Sequence, residues 1–184
     1  ASVAIAGIGG LGSHIAVSLA RMGIGRMLMV DFDVVEPSNI NRQYYFIDQI
    51  GKTKTEALKE NIKRINPYGD YQYVNTFIDE ENIEELFSGY DAIAEAFDKA
   101  ETKAMFIQRC SSLFPESFIV GASGVAGLDD ISVLRSVNLG RNAVVIGDFT
   151  SEAKPGTGLM ATRVTAAANI QANMIINRLL KRDV

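Results

Sequence analysis

The sequence has a single cysteine, Cys110, among its 184 residues, and it lacks long apolar runs. One cysteine excludes an internal disulfide and a multi-cysteine zinc cage, so no structural zinc is expected. No uninterrupted apolar run approaches the roughly 20 residues of a transmembrane helix, and no charged-then-apolar signal peptide is visible. These absences favour the cytoplasm, and no membrane partner is expected.

An excess of positive charge is also missing. Eighteen lysines and arginines face 22 aspartates and glutamates, which gives a formal net charge of -4. Because no basic stripe runs along the chain, no nucleic-acid partner is expected. The sequence also contains no internal repeat, low-complexity segment or linker. We therefore expect one soluble globular domain over residues 1–184.

Short apolar runs alternate with segments of helical periodicity along the whole chain. This alternation predicts an α/β class, a Rossmann-like three-layer fold with a mainly parallel sheet and an antiparallel edge. Residues 34–45 and 151–163 are predicted to be loops. Strands are predicted at 3–6, 27–30, 71–78, 92–96, 118–122, 133–137 and 143–146, and helices at 10–22, 54–65, 80–87, 99–113 and 164–180.

A glycine-rich turn, "GIGGLG", connects the first predicted strand and helix. Its pattern glycines are Gly7, Gly9 and Gly12, and Gly10 is an additional one. Such a turn lets backbone N–H groups approach a phosphate at the positive N-terminus of the helix. Asp31 follows about 20 residues later, where a carboxylate can bind ribose hydroxyls. Alone, this pattern predicts a nucleotide site and leaves an NAD-dependent oxidoreductase open.

The segment after Asp31, "FDVVEPSNINRQ", favours a different nucleotide. It is rich in polar side chains and is followed by two lysines at a predicted helix start. A cation pair beside a glycine turn suits a triphosphate better than a dinucleotide, because Arg and Lys both bind phosphate oxygens. The polar side chains from the aspartate onwards are Asp31, Asp33, Asn39, Arg42, Gln43, Lys52 and Lys54.

Asp98 in "EAFDK" lies just beyond the fourth predicted strand, at the sheet edge where α/β proteins bind ligands. A carboxylate there, near phosphates, is a candidate Mg²⁺ ligand. It could instead cap the next helix, and Arg42 and Lys54 could be solvated surface charges. His14 is expected to be a helix-surface or partly buried imidazole rather than a catalytic group. Cys110 is expected to pack as a small hydrophobe.

The combined motifs resemble those of the ThiF/MoeB adenylyltransferases, relatives of the ubiquitin-activating enzymes. The resemblance covers nearly the whole chain, and within the family the short ThiF type is the most similar. The matching blocks are "GxGGLG" at Gly7–Gly12, "DxD" at Asp31 and Asp33, "SNLxRQ" at Ser38–Gln43, "GxxK" and "INP" at Gly51–Lys54 and Ile65–Pro67, and the "TDN" aspartate at Asp98.

The resemblance implies an activity: ATP-dependent adenylylation of the C-terminal glycine carboxylate of a small β-grasp sulfur carrier. The implied carrier ends in Gly-Gly and is ThiS-like, as in thiamine biosynthesis, with molybdopterin-type and other pathway carriers as alternatives. A non-catalytic nucleotide-binding scaffold is a further alternative.

The resemblance also implies a role for each matching residue. Gly10 in the turn of Gly7, Gly9 and Gly12 contacts phosphates, Asp31 holds the ribose, and Asn39 and Arg42 bind the phosphate chain. Asp33 is a further nucleotide-binding residue. Lys54 stabilises charge on the α-phosphate and Asp98 holds Mg²⁺. The implied catalytic set is therefore Arg42, Lys54 and Asp98.

The chain departs from the resemblance in two ways. Many family members carry two Cys-x-x-Cys pairs for a structural zinc, and some carry a further cysteine for sulfur transfer or thioester chemistry. This sequence has neither pair, and Cys110 is not expected to be reactive, so the protein is expected to activate its carrier without a covalent bond to it. The family also uses an arginine from the neighbouring subunit's N-terminal segment. No such segment precedes Ser2, so that contact is lost, the chain is truncated, or Arg163 substitutes. Family members are usually dimers, and a homodimer is expected.

Overall fold

The structure is a computed structural model that describes residues 1–152 and 158–181. Seven strands form one sheet in the order β3-β2-β1-β4-β5-β7-β6. The strands are β1 Ser2–Ala6, β2 Arg26–Asp31, β3 Asp70–Asn75, β4 Ala92–Glu95, β5 Phe118–Ala122, β6 Arg135–Leu139 and β7 Ala143–Gly147. The helices are α1 Gly10–Arg21, α2 Lys54–Lys63, α3 Ile83–Phe87, α4 Ala100–Leu113 and α5 Ala161–Leu179.

All neighbouring strands pair in parallel except β6, which pairs antiparallel with β7. The predicted three-layer α/β fold with an antiparallel edge is therefore confirmed. The strand order reverses direction between β1 and β4, since β2 and β3 lie on one side and β5, β7 and β6 on the other. In open α/β sheets the crevice at such a switch point binds ligands.

Helices cover both faces of the sheet because side chains alternate between faces along each strand. Val3 and Ile5 of β1 pack with α1, α2 and α5 in one core cluster. Ala4 and Ala6 pack with α3 and α4 in the other. The short apolar run of β1 is buried on both faces, as is usual for a central parallel strand.

The main differences between the observed and the predicted element boundaries lie in the third strand, α3, β6 and the last helix. The third strand ends at Asn75, and α3 begins at Ile83 because an Asx-type turn at Asp79 precedes it. Residues 131–133 form a 3-10 turn, which shifts β6 to Arg135–Leu139. The last helix begins at Ala161, inside the predicted loop 151–163, and residues 153–157 of that loop lie outside the described residues.

No helix of residues 1–152 and 158–181 combines the length and the apolar character needed to cross a bilayer.

Candidate functional site

The glycine turn packs the start of α1 directly against the end of β1. Gly7 has a positive φ of 82°, a conformation that favours glycine. A Cβ on Gly12 would overlap the carbonyl oxygen of Gly7, so the helix and strand approach too closely for any side chain. The turn thereby presents the first N–H groups of α1 to the crevice beside the switch point.

Asp31 at the end of β2 is tied to this turn. Its Oδ2 accepts a hydrogen bond of 2.7 Å from the N–H of Ile8, and its Oδ1 accepts one of 2.9 Å from the N–H of Asp33. The side chain is buried at 7% exposure, next to the crevice. The carboxylate is therefore fixed in place before any ligand arrives.

Tyr45 is a site residue that the sequence analysis missed. Its hydroxyl donates a 2.7 Å hydrogen bond to the carbonyl oxygen of Ile8, within the glycine turn. Burial, with the nearby charges of Asp31 and Asp33, holds the pKa of this phenol well above its usual value. Tyr45 therefore remains a hydrogen-bond donor at neutral pH and steadies the turn.

Lys54, the first residue of α2, lies beside these carboxylates. Its Nζ is 2.7 Å from Oδ2 of Asp33, and its side chain is only 7% exposed. Backbone hydrogen bonds from Lys54 N to Asp33 O and from Val35 N to Lys52 O, both 2.9 Å, tie the helix start to the end of β2. The alternative that Lys54 is a solvated surface charge is wrong.

Arg42 lies next to the start of α1 in the glycine turn. Its Nη1 donates to the carbonyl oxygen of Ser38 at 2.8 Å, while its buried Nε has no hydrogen-bond partner among the described residues. A Cβ on Gly10 would lie 3.9 Å from Cγ of Arg42 and 3.1 Å from Cγ1 of Val164. Arg42 thus borders the turn, and its buried Nε donor is available to a ligand as far as the described residues show.

Asn39 and His14 shape the segment that carries Arg42. The Asn39 side-chain oxygen accepts from the N–H of Glu36 at 3.1 Å, and its carbonyl accepts from the N–H of Arg42 at 3.1 Å. His14 is half-buried, with Nε2 3.1 Å from the carbonyl oxygen of Arg42, and burial lowers its pKa. The imidazole therefore has the structural, partly buried position that was predicted.

Asp98 is exposed in the turn after β4. The N-cap of α4 is Lys99, without a side-chain hydrogen bond, so the alternative that Asp98 caps this helix is wrong. The turn is held by Glu95, which is fully buried and accepts from the N–H of Phe97 at 2.7 Å and from Lys103 Nζ at 2.9 Å. A charged residue inside the apolar run "AIAEAF" was the sequence signal for Glu95.

These side chains lie at one edge of the sheet, at the ends of β1, β2 and β4. They combine backbone donors, two cationic side chains and a free carboxylate, which is a set suited to phosphate chemistry. Within residues 1–152 and 158–181, no group of three His, Cys, Asp or Glu side chains could form an all-protein metal cage. Mg²⁺ needs no such cage, because it is usually held by one or two carboxylates together with substrate phosphates.

Cys110, on the buried face of α4, lies away from this edge and is fully buried in the core, as predicted. Burial raises the pKa of its thiol to about 12.

We expect the Cys110 thiol of the native protein to resist a reagent such as iodoacetamide at pH 8 and to react after denaturation in urea, because the thiolate is both inaccessible and scarce. Mass spectrometry of the two samples measures this. Rapid labelling of the native protein would contradict the buried placement.

The sequence was compared with models of known protein families, and residues 1–183 match the ThiF family. The chain belongs to the ThiF family. This match spans the turn, the Asp31 segment, Lys54 and Asp98 together.

Relatives of this chain carry names of different activities. The chain is 37% identical over 126 residues to tRNA threonylcarbamoyladenosine dehydratase of Haemophilus influenzae, covering 67% of this chain and 48% of that protein. It is 31% identical over 110 residues to molybdopterin-synthase adenylyltransferase of the same organism, covering 59% and 45%. The chain thus spans about half the length of the curated relatives that it matches.

A solved structure has the same fold. The E. coli tRNA N6-threonylcarbamoyladenosine dehydratase, crystallised with AMP, superposes with a TM-score of 0.88 at 23% identity, over 98% of this chain and 86% of that chain. At that identity the likeness supports the ThiF-family architecture and no particular substrate.

Proposed function

We propose that this ThiF-family protein uses ATP to adenylylate the C-terminal glycine carboxylate of a small β-grasp carrier protein that ends in Gly-Gly. The observation that carries the proposal is the buried Lys54 Nζ, 2.7 Å from Asp33, beside the glycine turn that Asp31 fixes. A buried cation next to N–H donors of a helix start favours a bound triphosphate over a dinucleotide.

In this proposal Asp31 accepts hydrogen bonds from the ribose hydroxyls, and the N–H groups around Gly10 contact the phosphates. Arg42, whose Nε has no acceptor among the described residues, binds the phosphate chain with the polar segment around Asn39. The carrier carboxylate attacks the α-phosphate in line, the bond to the pyrophosphate oxygen breaks, and Lys54 neutralises charge that develops on the α-phosphate. No enzyme nucleophile is needed, because catalysis here is positioning and charge stabilisation.

Asp98 is the residue of this site suited to hold Mg²⁺. It is exposed at the carboxyl edge of the sheet and has a carboxylate that the helix does not use as a cap. Bound Mg²⁺ would supply charge neutralisation for the phosphates.

The comparisons support this class of reaction at different levels of detail. One relative is named an adenylyltransferase of molybdopterin synthase, which is a protein substrate. A fold neighbour was crystallised with AMP, the product of such a reaction after hydrolysis. Neither name includes thiamine, so ThiS is proposed as carrier only on the resemblance of the sequence to the short ThiF type.

A second candidate function is the dehydration of a threonylcarbamoyl nucleotide in tRNA. The relative with 37% identity carries that name. That nucleotide also contains a carboxylate, so the same adenylylation chemistry applies to it. The net charge of -4 and the lack of a basic stripe favour a protein carrier over a polyanionic RNA.

Exchange of labelled pyrophosphate into ATP tests the proposal. The protein is incubated with Mg²⁺ and, in separate reactions, with purified ThiS-type, molybdopterin-type and other Gly-Gly carriers or with threonylcarbamoylated tRNA. We expect exchange with one carrier and none with that carrier lacking its last glycine. Tight NAD(H) binding without ATP binding, or exchange only with tRNA, would overturn the proposal.

Asp98→Asn is expected to reduce this exchange at least about a hundredfold, because a neutral amide is a weak Mg²⁺ ligand. Glu101→Gln on the first turn of α4 is the matched control, an exposed carboxylate near the same turn. The melting temperature of both variants should stay close to that of the wild type, since Asp98 is exposed. Exchange by Asp98→Asn at the wild-type rate and the same Mg²⁺ dependence would remove Asp98 from the site.

We further propose that residues 1–184 act as a single domain and assemble as a homodimer. Sedimentation of the purified chain at several concentrations measures its oligomeric state, and a monomer at all of them would contradict the dimer.

A further inference from the structure

A buried arginine lies at the same edge of the sheet and is not used by the proposed reaction. Arg163, in the first turn of α5, is 1% exposed, and its Nη2 donates to Oδ2 of Asp148. Its Nε and Nη1 have no hydrogen-bond partner within residues 1–152 and 158–181, and Nη1 is 3.6 Å from Oδ2 of Asp129. Buried donors without acceptors cost free energy, so these two call for an explanation.

The position of Arg163 points to the second substrate. Asp148 directly follows β7, and Asp129 lies in the segment after β5, so the guanidinium is beyond the carboxyl ends of these strands. The next residue, Val164, borders Gly10 of the glycine turn. Arg163 therefore lies on the β5–β7 side of the switch point, across the crevice from Asp31, where the partner of the nucleotide would bind.

The charges around Arg163 define what its free donors can bind. Burial raises the pKa of Asp148, but hydrogen bonds from Ser151 and Thr150 outweigh burial and lower that pKa to about 2. The ionised Asp148 balances the guanidinium, and Asp129, whose side chain is 75% exposed, adds a second negative charge. These two carboxylates would repel a phosphate or carboxylate group of a ligand. Arg163 therefore does not replace a phosphate-binding arginine. Its free donors suit neutral acceptors.

We propose that Nε and Nη1 of Arg163 donate hydrogen bonds to main-chain carbonyl oxygens of the carrier's C-terminal tail, with the exposed Asp129 side chain moving aside. A Gly-Gly tail has no side chains to be recognised, so its carbonyl groups are the acceptors that it offers. This site rests on the proposed function, because it assumes that the second substrate is a peptide tail.

The test uses the double variant Arg163→Met/Asp148→Asn. Removing both charges of a buried pair is often tolerated, whereas removing one leaves the other unpaired. The asparagine oxygen still accepts from the N–H groups of Thr150 and Ser151, which bond Oδ1 of Asp148 at 2.7 and 2.8 Å. Arg109→Met, on the exposed face of α4, is the matched control.

Pyrophosphate exchange is measured against the concentration of the carrier that the wild type accepts, and ATP affinity is measured by calorimetry. We expect the double variant to raise the KM for the carrier about tenfold, as for the loss of one to two hydrogen bonds to a charged group. The ATP affinity and the rate at saturating carrier should stay within about twofold of the wild type. Asp148→Asn alone, which keeps Arg163, should raise the KM much less.

An unchanged KM in a folded double variant overturns the tail site, and an equal loss of ATP affinity assigns Arg163 to the nucleotide instead. If the double variant does not fold, Arg163→Lys decides, because it keeps the charge beside Asp148 but has a single nitrogen in place of the fork of Nε and Nη1. An unchanged KM in Arg163→Lys then overturns the site. If the wild type shows no carrier-dependent exchange, the proposed function and the tail site are both wrong. If the wild type exchanges but the KM of the variant is unchanged, only the tail site is wrong.

Discussion

Lys54→Ala is expected to reduce carrier-dependent pyrophosphate exchange about a thousandfold while the protein stays folded. Lys54 places a buried positive charge 2.7 Å from Asp33, at the edge where the α-phosphate is proposed to bind. Preorganised charges at such positions contribute about 10²- to 10³-fold to rates. In the variant, the Asp33 carboxylate loses its cation and repels a triphosphate, which adds to the loss.

The fold should tolerate this change. The backbone hydrogen bond from residue 54 to Asp33 O does not need the lysine side chain, and Thr53 still caps α2 by accepting from the N–H of Glu56. Asp33 is 48% exposed, so water can solvate it once its partner is removed. The melting temperature is therefore expected to change by only a few degrees.

Lys52→Ala is the matched control, two residues away. Its Nζ is 2.7 Å from Oε1 of Glu60, and both side chains are at least 41% exposed, so the pair contributes little to stability. Exchange by this variant should stay within about twofold of the wild type. If Lys54→Ala and Lys52→Ala exchange equally well, Lys54 has no catalytic role and the proposed mechanism is wrong.

The parts of the site that could be predicted from sequence are those in which spacing determines geometry. "GIGGLG" between a buried strand and a helix predicts the turn. Asp31 lies beside that turn because β1 and β2 are parallel neighbours, with Ala6 opposite Val30. The helical periodicity after Lys54 predicts that a helix begins there, and α2 does begin at Lys54. The pairing of Lys54 with Asp33 could not be predicted, since that contact depends on how the intervening 20 residues fold.

The contacts that could not be predicted join segments far apart in the chain. Tyr45 contacts Ile8 across 37 positions, and Arg163 contacts Asp148 across 15 positions. An arginine at a helix start is usually solvated, and nothing in "GLMATRV" indicates that this one is buried. Its contacts arise only when Asp129, after β5, and Asp148, after β7, meet α5, which is a property of the assembled sheet edge.

Gly12→Ala is expected to destabilise the protein by at least about 3 kcal/mol and to abolish ATP binding, although it lies inside a helix. Helix propensity alone would favour alanine over glycine by about 1 kcal/mol. The sign of the change in the free energy of unfolding therefore shows whether helix propensity or steric overlap dominates. The structure predicts destabilisation because the new Cβ would overlap the Gly7 carbonyl oxygen and lie 3.2 Å from Cβ of Ala96. Relief of that overlap requires α1 to move away from β1, which displaces the N–H groups that the proposed phosphate site needs.

Urea denaturation of Gly12→Ala and Gly25→Ala measures the difference. Gly25 follows α1 closely, but a Cβ there would meet nothing within 4 Å. Gly25→Ala should therefore change the free energy of unfolding by less than about 1 kcal/mol and bind ATP normally. A Gly12→Ala variant as stable as Gly25→Ala would show that strand and helix can separate without cost. The glycine turn would then not be the rigid phosphate cradle on which the adenylylation mechanism depends.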